Sequence, residues 1–254
     1  MEEEKNKLLF GLLGKNISYS FSRGHFATKF EKEGLQNCSY VNFDLQSISE
    51  FPALIKKHKN QLVGMNVTTP YKLEVFPFLD KISKKAKKIG AVNTIKISKK
   101  GKLKGYNTDE FGFRSSLQSL LEKHHSKALI LGTGGASKAV AFALKKLGVS
   151  YKFVSRNPQR KKEISYQEIS KKIILKYTII INCTPLGTHP NIENYPDIPY
   201  QFLSKKHLLY DLIYNPSETT FLSKGKEKGA SIKNGLEMLE KQAEKSWKIW
   251  NSNP

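Results

Sequence analysis

Gly132-Thr133-Gly134-Gly135-Ala136-Ser137 decides the fold. The apolar run 128–131 leads into it, and a stretch with Val140, Leu144 and Leu147 on one helical face follows it. A strand, a glycine turn and a helix start make a seat for a pyrophosphate, because the first N–H groups of a helix have no partner within it. Gly132 permits the tight turn, and Gly134 and Gly135 let backbone N–H groups approach phosphates with no Cβ in the way. Small residues at Ala136 and Ala139 allow the helix to lie close to the sheet. The match to G-x-G-x-x-G is incomplete, with Ser137 where the third glycine would stand. Taken alone, the hexapeptide also fits an ordinary turn between strand and helix.

The loop after the next predicted strand, 151–154, discriminates between dinucleotides. Enzymes that use NAD place an acid there for the ribose 2′-hydroxyl. This chain has Ser155-Arg156-Asn157-Pro158-Gln159-Arg160, which holds two of its four arginines. A guanidinium suits the 2′-phosphate of NADP, which it can grip through two N–H groups. Further strands are predicted at 179–181 and 208–212. A final helix carries Leu236, Leu239, Ala243 and Trp250 on one stripe, with Trp247 beside it.

The first hundred residues also alternate strand and helix. Strands are predicted at 7–13, 40–45 and 62–67, and a hairpin at 95–106 turns on Gly101. Helices carry Phe26 and Phe30, then Ile48, Phe51 and Ile55. The expected class is therefore α/β with two domains. Residues 1–107 form one domain with an open, mostly parallel sheet; the family resemblance described below implies that it is the substrate-binding domain, completed by the helix 236–254. Residues 108–235 form a Rossmann-like dinucleotide domain, with a hinge near 108–112.

Composition narrows the function classes. The chain of 254 residues has 43 Lys and Arg against 22 Asp and Glu, a formal charge of +21, and is 39% hydrophobic. It is too apolar for a disordered polybasic chain, and no run approaches the ~18 apolar residues of a membrane span. The acidic start, Met1 to Glu4, does not resemble a secretory or transit peptide. Cys38 and Cys183 stand far apart, with no CxxC or Cys/His cluster, which fits a reducing cytoplasm and no metal. The cations are 39 Lys and only 4 Arg, spread as short runs such as 84–88, 99–102 and 171–172. That pattern is a solvated surface rather than a base-reading patch. His124 and His125 are expected at a solvated helix end, and His189 and His207 in loops.

Three further blocks pair an amide with hydroxyls. Asn66-Val67-Thr68-Thr69-Pro70-Tyr71-Lys72 closes a strand and enters a helix whose start Pro70 can occupy. That places Lys72 at the C-terminal edge of the sheet, where open α/β folds bind ligands. Gly90-Ala91-Val92-Asn93-Thr94 and Gly105-Tyr106-Asn107-Thr108-Asp109 are turns, in the second of which Asp109 is a candidate helix cap.

In this order the blocks resemble the shikimate dehydrogenase family. Ser18 to Ser22, Ile181 to Gly187, Asp211 to Pro216 with Thr219, and Gly235 to Leu239 with Gln242 and Ala243 extend the resemblance over nearly the whole chain. It implies reversible, NADPH-dependent reduction of 3-dehydroshikimate to shikimate on the route to chorismate and aromatic amino acids. By position it implies that Ser20 and Ser22 hold the substrate carboxylate, and that Thr68, Asn93, Asp109 and Gln242 bond its hydroxyls. Lys72 is the implied catalytic residue, paired with Asp109. Gly132, Thr133, Gly134, Gly135, Ala136, Arg156, Arg160, Ile213, Tyr214 and Gly235 are the implied contacts to NADP. The implied partner is a small molecule, with no specific nucleic acid and no membrane, and the chain acts as a monomer or homodimer. The sequence departs from the family at Tyr19, where histidine is common, at Thr188, where methionine is frequent, and at Arg23, where proline is common. Arg23 either joins the carboxylate site or caps the next helix. A quinate/shikimate dehydrogenase that uses NAD or both cofactors, and a non-enzymatic polyanion-binding protein suggested by the charge, are the competing readings.

Overall fold

The computed structural model describes residues 7–18 and 20–252; Met1 to Glu4 and Tyr19, singled out above, lie outside the described residues. The chain divides into two compact units, 1–108 with 243–254, and 109–242.

The first unit contains β1 (Leu8–Gly14), α1 (Phe21–Lys32), β2 (Cys38–Asp44), α2 (Phe51–Lys57), β3 (Leu62–Val67), α3 (Tyr71–Glu74), β4 (Lys81–Ile82), α4 (Lys84–Ile89), β5 (Thr94–Ile97) and β6 (Leu103–Tyr106). Its sheet runs β2-β1-β3-β5-β6-β4. The β1 pairs with β2 and β3 are parallel, as is β4 with β6, and the hairpin strand β5 is antiparallel to both neighbours. Apolar side chains on both faces explain why β1 and β3 read as continuous runs instead of alternating. One face carries Leu13, Met65, Val67 and Ile95, and the other carries Phe10, Leu12, Phe26 and Trp250.

The second unit contains α5 (Asp109–Leu117), β7 (Lys127–Leu131), α6 (Gly135–Lys146), β8 (Ser150–Val154), β9 (Glu163–Ile164), α7 (Lys171–Lys176), β10 (Ile179–Asn182), β11 (Leu208–Asp211), α8 (Thr220–Lys226) and β12 (Ser231–Lys233). The helix α9 (Leu236–Trp250) begins in this unit. The sheet order β12-β11-β10-β7-β8-β9 is parallel throughout. Counted within the unit, its strands follow the order of dinucleotide-binding sheets, which reverses direction between β7 and β10.

Several local expectations change. Pro70 precedes α3 as its cap position, so the helix starts at Tyr71. Asp109 lies inside the first turn of α5 rather than capping it. The cap of α1 is Ser20, whose Oγ accepts the Ser22 N–H, and Arg23 does not cap it. The lysine run 84–88 is a helix, α4, capped by Ser83 and burying Ala86 and Ile89. His125 is buried, not solvated, and His207, in a loop as expected, is buried as well; each accepts a backbone N–H on Nδ1, from Glu122 and from Ser204 respectively. Among the described residues no helix is long and apolar enough to cross a membrane.

The C-terminal part of α9 is locked to the first sheet through one indole. Trp250 Nε1 donates to the Ile95 carbonyl at 2.9 Å, and its ring lies 5.1 Å from that of Phe10. The approach depends on Gly64, where any Cβ would overlap the Trp250 ring. Gly64→Ala is expected to destabilise the protein by about 1–3 kcal/mol through overpacking. Denaturant midpoints at unchanged m-value measure this; an unshifted midpoint means the indole moves aside without loss.

Candidate active site

Strand direction places the polar blocks of the first unit on one edge. β1 and β3 are parallel, so the segments that follow their C-terminal ends, from 15 and from 68, leave the sheet on the same side. β5 runs antiparallel to β3, which puts Asn93, just before it, on that edge, and β6 ends there at Tyr106. Ser20, Ser22, Thr68, Lys72 and Asn93 therefore share one edge of this sheet. The Thr68 N–H donates to Leu13 O, and the Val92 N–H donates to Lys72 O at 2.9 Å, which fixes the Lys72 backbone beside Asn93. Asp44 accepts the N–H groups of Asn16 and Ile17, and Asn42 donates to Ile17 O, so the loop leading to the two serines is held from β2.

Behind this edge lies a buried network of neutral polar groups. Tyr40 donates to Asn66 Oδ1 at 2.9 Å, and Asn66 Nδ2 donates to Ser246 Oγ at 3.0 Å. Ser246 Oγ is also 2.8 Å from Thr94 Oγ1 and 3.1 Å from Thr108 Oγ1. Asn93 donates to Thr108 Oγ1 and accepts the Thr108 N–H at 2.7 Å. Tyr40, Thr94, Thr108 and Ser246 were not singled out in the sequence as site residues. Ser246 carries no local signal, since its partner Asn66 is 180 positions away.

In the second unit the glycine turn sits at the point where the strand order reverses. Gly132 has φ +103°, which favours glycine, and a Cβ there would press at 3.3 Å on Cys183 O and Thr184 Cγ2, from the loop after β10. Gly134 precedes the twelve-residue helix α6 and has open space where a side chain would stand. Ser137, in the place of the third glycine, turns its hydroxyl back to Gly134 O at 2.6 Å, so it braces the turn without filling it. This cradle fits a dinucleotide pyrophosphate: it offers backbone N–H groups, a helix start and no obstructing Cβ. Arg156 and Arg160 are both exposed in the loop after β8. Arg160 Nε lies 3.7 Å from Glu163, whose other oxygen accepts the Gln159 N–H, so this loop is closed by an acid the sequence reading passed over.

The remaining predicted residues of this unit are also brought together in groups. The Gly235 N–H donates to Ile213 O at 2.9 Å, and a Cβ on Gly235 would overlap the Leu212 carbonyl. Gly112 similarly admits the α9 backbone at Met238 and Gln242, one turn beyond Asp109. Asp211 organises the loops after β10 and β11. It accepts the Ile213 N–H, the Thr219 hydroxyl at 2.7 Å and the Asn182 amide at 3.1 Å. Asn182 in turn accepts the Thr184 N–H and hydroxyl. Burial and the neighbouring Asp211 charge hold the Cys183 thiol well above its usual range, so it packs rather than reacts.

Comparison with known proteins bears on both units. A family model described as the shikimate dehydrogenase substrate binding domain matches residues 12–95. An NADP(+)-dependent shikimate dehydrogenase from Methanococcus maripaludis is 38% identical, over 98% of this chain and 93% of the relative. Among solved structures, shikimate dehydrogenase 1 from Peptoclostridium difficile is 38% identical with a TM-score of 0.86, over 97% of this chain and 92% of that one. Shikimate 5-dehydrogenase from Thermus thermophilus, solved in complex with NADP(H) and shikimate, is 31% identical with a TM-score of 0.85, over 96% and 93%.

The Asp211 carboxyl gives the second unit a pH dependence of calculable sign. Burial pushes it up from 3.8 to about 6, against the opposing pull of its three donors. A raised carboxyl favours the folded state below the unfolded value near 3.8, and that contribution is lost as pH rises through 6. Asp211→Asn cannot ionise, so its stability relative to wild type is expected to improve by about 2–3 kcal/mol between pH 4 and pH 8. Urea unfolding of both proteins across that range measures it, and a constant difference refutes the assignment.

Proposed function

The chain belongs to the shikimate dehydrogenase family, and from that premise we propose how its residues carry out the reversible NADP-dependent reduction of 3-dehydroshikimate to shikimate. The observation that supports the reading best is the arrangement of Ser20, Ser22, Thr68, Lys72 and Asn93 on one sheet edge, in a unit whose sequence matches a substrate-binding domain. The substrate is a neutral polyol with a single carboxylate. Short hydroxyl and amide side chains match the polyol, and a helix start flanked by two serine hydroxyls matches the carboxylate. The cytoplasm is the proposed location, consistent with two free cysteines.

NADPH supplies the hydride when it is bound along the glycine turn of the second unit. Reduction of the ketone leaves negative charge on the carbonyl oxygen. The Lys72 ammonium stabilises that charge and gives the oxygen its proton, with Asp109 as the second member of the acid–base pair. In the oxidative direction the pair takes the hydroxyl proton back. Ser20 and Ser22 hold the carboxylate, and Thr68, Asn93, Asp109 and Gln242 orient the hydroxyls, so the reacting carbon has one presentation. Thr133 and Ala136 flank the phosphate seat, Ile213, Tyr214 and Gly235 contact the cofactor, and Arg156 with Arg160 selects the 2′-phosphate.

Lys72→Ala is expected to lower kcat by about 10²–10⁴-fold with a much smaller change in shikimate KM. Near wild-type turnover removes Lys72 from the chemistry. Ser20→Ala combined with Ser22→Ala should instead raise shikimate KM by tens- to hundreds-fold, at ~1.5–3 kcal/mol per bond to a charged group, because those bonds exist in ground and transition states alike. An unchanged KM would place the carboxylate elsewhere.

Arg156→Asp removes an attraction for the 2′-phosphate, adds a repulsion and restores an acceptor for the free 2′-hydroxyl. The ratio of kcat/KM for NADP over NAD should fall by at least about tenfold, with shikimate KM little changed. Absorbance of the reduced nicotinamide with both cofactors at saturating shikimate provides the test. A wild type that prefers NAD, or a ratio that does not move, overturns the cofactor assignment and favours a dehydrogenase of the NAD-using or dual type.

A further inference from the structure

The last residues of β10 and β11, Asn182 and Asp211, stand opposite each other in register, and both are fully buried. Each governs the loop that follows its own strand. Asn182 Oδ1 accepts the Thr184 N–H at 3.0 Å and the Thr184 hydroxyl at 2.7 Å, and its Nδ2 donates to Leu186 O at 3.2 Å. Asp211 accepts the Ile213 N–H at 3.0 Å and, at 2.7 Å, the hydroxyl of Thr219, the cap of α8. The bond from Asn182 Nδ2 to Asp211 Oδ1, 3.1 Å long, joins the two sets, so neither loop is placed independently of the other. The loops also lie against each other, since a Cβ on Gly187 would stand 3.5 Å from Thr219 Cβ. Burial pushes the Asp211 carboxyl up to about 6, so near neutral pH its charge costs stability, and packing alone gives no reason for an acid there.

A dinucleotide laid across the reversal point between β7 and β10 divides into two nucleotides, one over each half of the sheet. The Arg156 loop follows β8, so a 2′-phosphate held there puts the adenosine over β7 and β8 and leaves the nicotinamide half to the loops after β10 and β11. We propose that Asn182 and Asp211 are a positioning pair for the nicotinamide half of the cofactor: through Thr184, Leu186, Ile213 and Thr219 they hold the two loops on which that half lies, and touch no part of it themselves. The proposal rests on the reading that NADP lies along the glycine turn with its 2′-phosphate at Arg156. The side chains of the pair bond the loops after β10 and β11 and leave the Arg156 loop alone. Their removal is therefore felt at one end of the dinucleotide and not at the other.

Equilibrium binding to the full chain, measured by calorimetry, separates the two ends. NADP spans both, and adenosine 2′,5′-bisphosphate has the adenosine half alone. Asp211→Ala and Asn182→Ala are each expected to raise the Kd of NADP by about 3- to 100-fold, the range of coupling within one network, and to leave the Kd of the bisphosphate within about twofold. The double variant should bind NADP about as weakly as the weaker single variant, because the pair acts as one unit. Thr219→Val removes one donor and keeps the shape of the side chain, and it carries the same comparison if Asp211→Ala does not fold. Equal weakening of both ligands shows a general structural role and overturns the proposal, as does unchanged NADP binding in the variants. A wild type that does not bind the bisphosphate, or whose binding of it is insensitive to Arg156→Asp, overturns the underlying reading of the cofactor site instead.

Discussion

The Asn66 side chain has to be satisfied inside a protein core, and the arrangement of the first unit follows from that requirement. An amide buried without partners is strongly disfavoured, whereas one with every group bonded fixes its surroundings. Asn66 meets this through four elements of the chain: Tyr40 on β2, the Asn93 carbonyl, Thr94 at the start of β5 and Ser246 on α9. One of these partners, Asn93, also stands on the sheet edge. An apolar replacement at Asn66 would leave Tyr40 and Ser246 each short of a partner, so the network stands or falls as a unit.

The second unit reaches its site by a different constraint, the close approach of backbone to backbone. At Gly132, Gly235 and Gly112 a side chain would press on the carbonyl of another segment, Cys183, Leu212 or Met238. Four loop segments and the helices α5 and α9 are thereby brought nearer than side chains permit. Asp211 then fixes the loops that follow β10 and β11 through hydrogen bonds alone. In the proposed reading the first unit presents side chains to a polyol, and the second presents backbone to phosphates. Each surface suits the chemistry of what it is proposed to hold.

The sequence shows some of this and hides the rest for physical reasons. The strands β1, β3, β7 and β10 are legible because apolar runs bounded by turn residues have few other uses. The glycine turn is legible because strand, turn and helix stand next to one another along the chain. The two-residue strands β4 and β9 are not, because pairs such as Lys81-Ile82 acquire their extended form only from the strand beside them. α4 is masked by its charge: four of its six residues are lysines, and only Ala86 and Ile89 face inward. His125 and His207 look like surface residues until their backbone partners are known. Tyr40 and Ser246 are invisible for the same reason, since hydrogen-bond partners distant in sequence leave no periodic trace.

The excess of positive charge takes part in none of these specific contacts. With 43 cations and 22 acids, one-to-one pairing would still leave 21 cations over. Several of the acids are occupied by backbone N–H groups: Asp44 by the loop before α1, Asp80 by Leu103, Glu163 by Gln159 and Glu168 by Ser165. Exposed Lys–acid pairs add little to stability in any case. What the surplus does produce is a positive field, which raises the local concentration of anions and is screened over about 8 Å at physiological ionic strength. The proposed substrate and cofactor are both anions, so such a field bears on how often they arrive. It cannot tell shikimate from another carboxylate of the same charge. In the proposed reading that discrimination falls to the neutral hydroxyl and amide groups on the sheet edge, of which Asn93 is held by the buried network through Asn66 and Thr108.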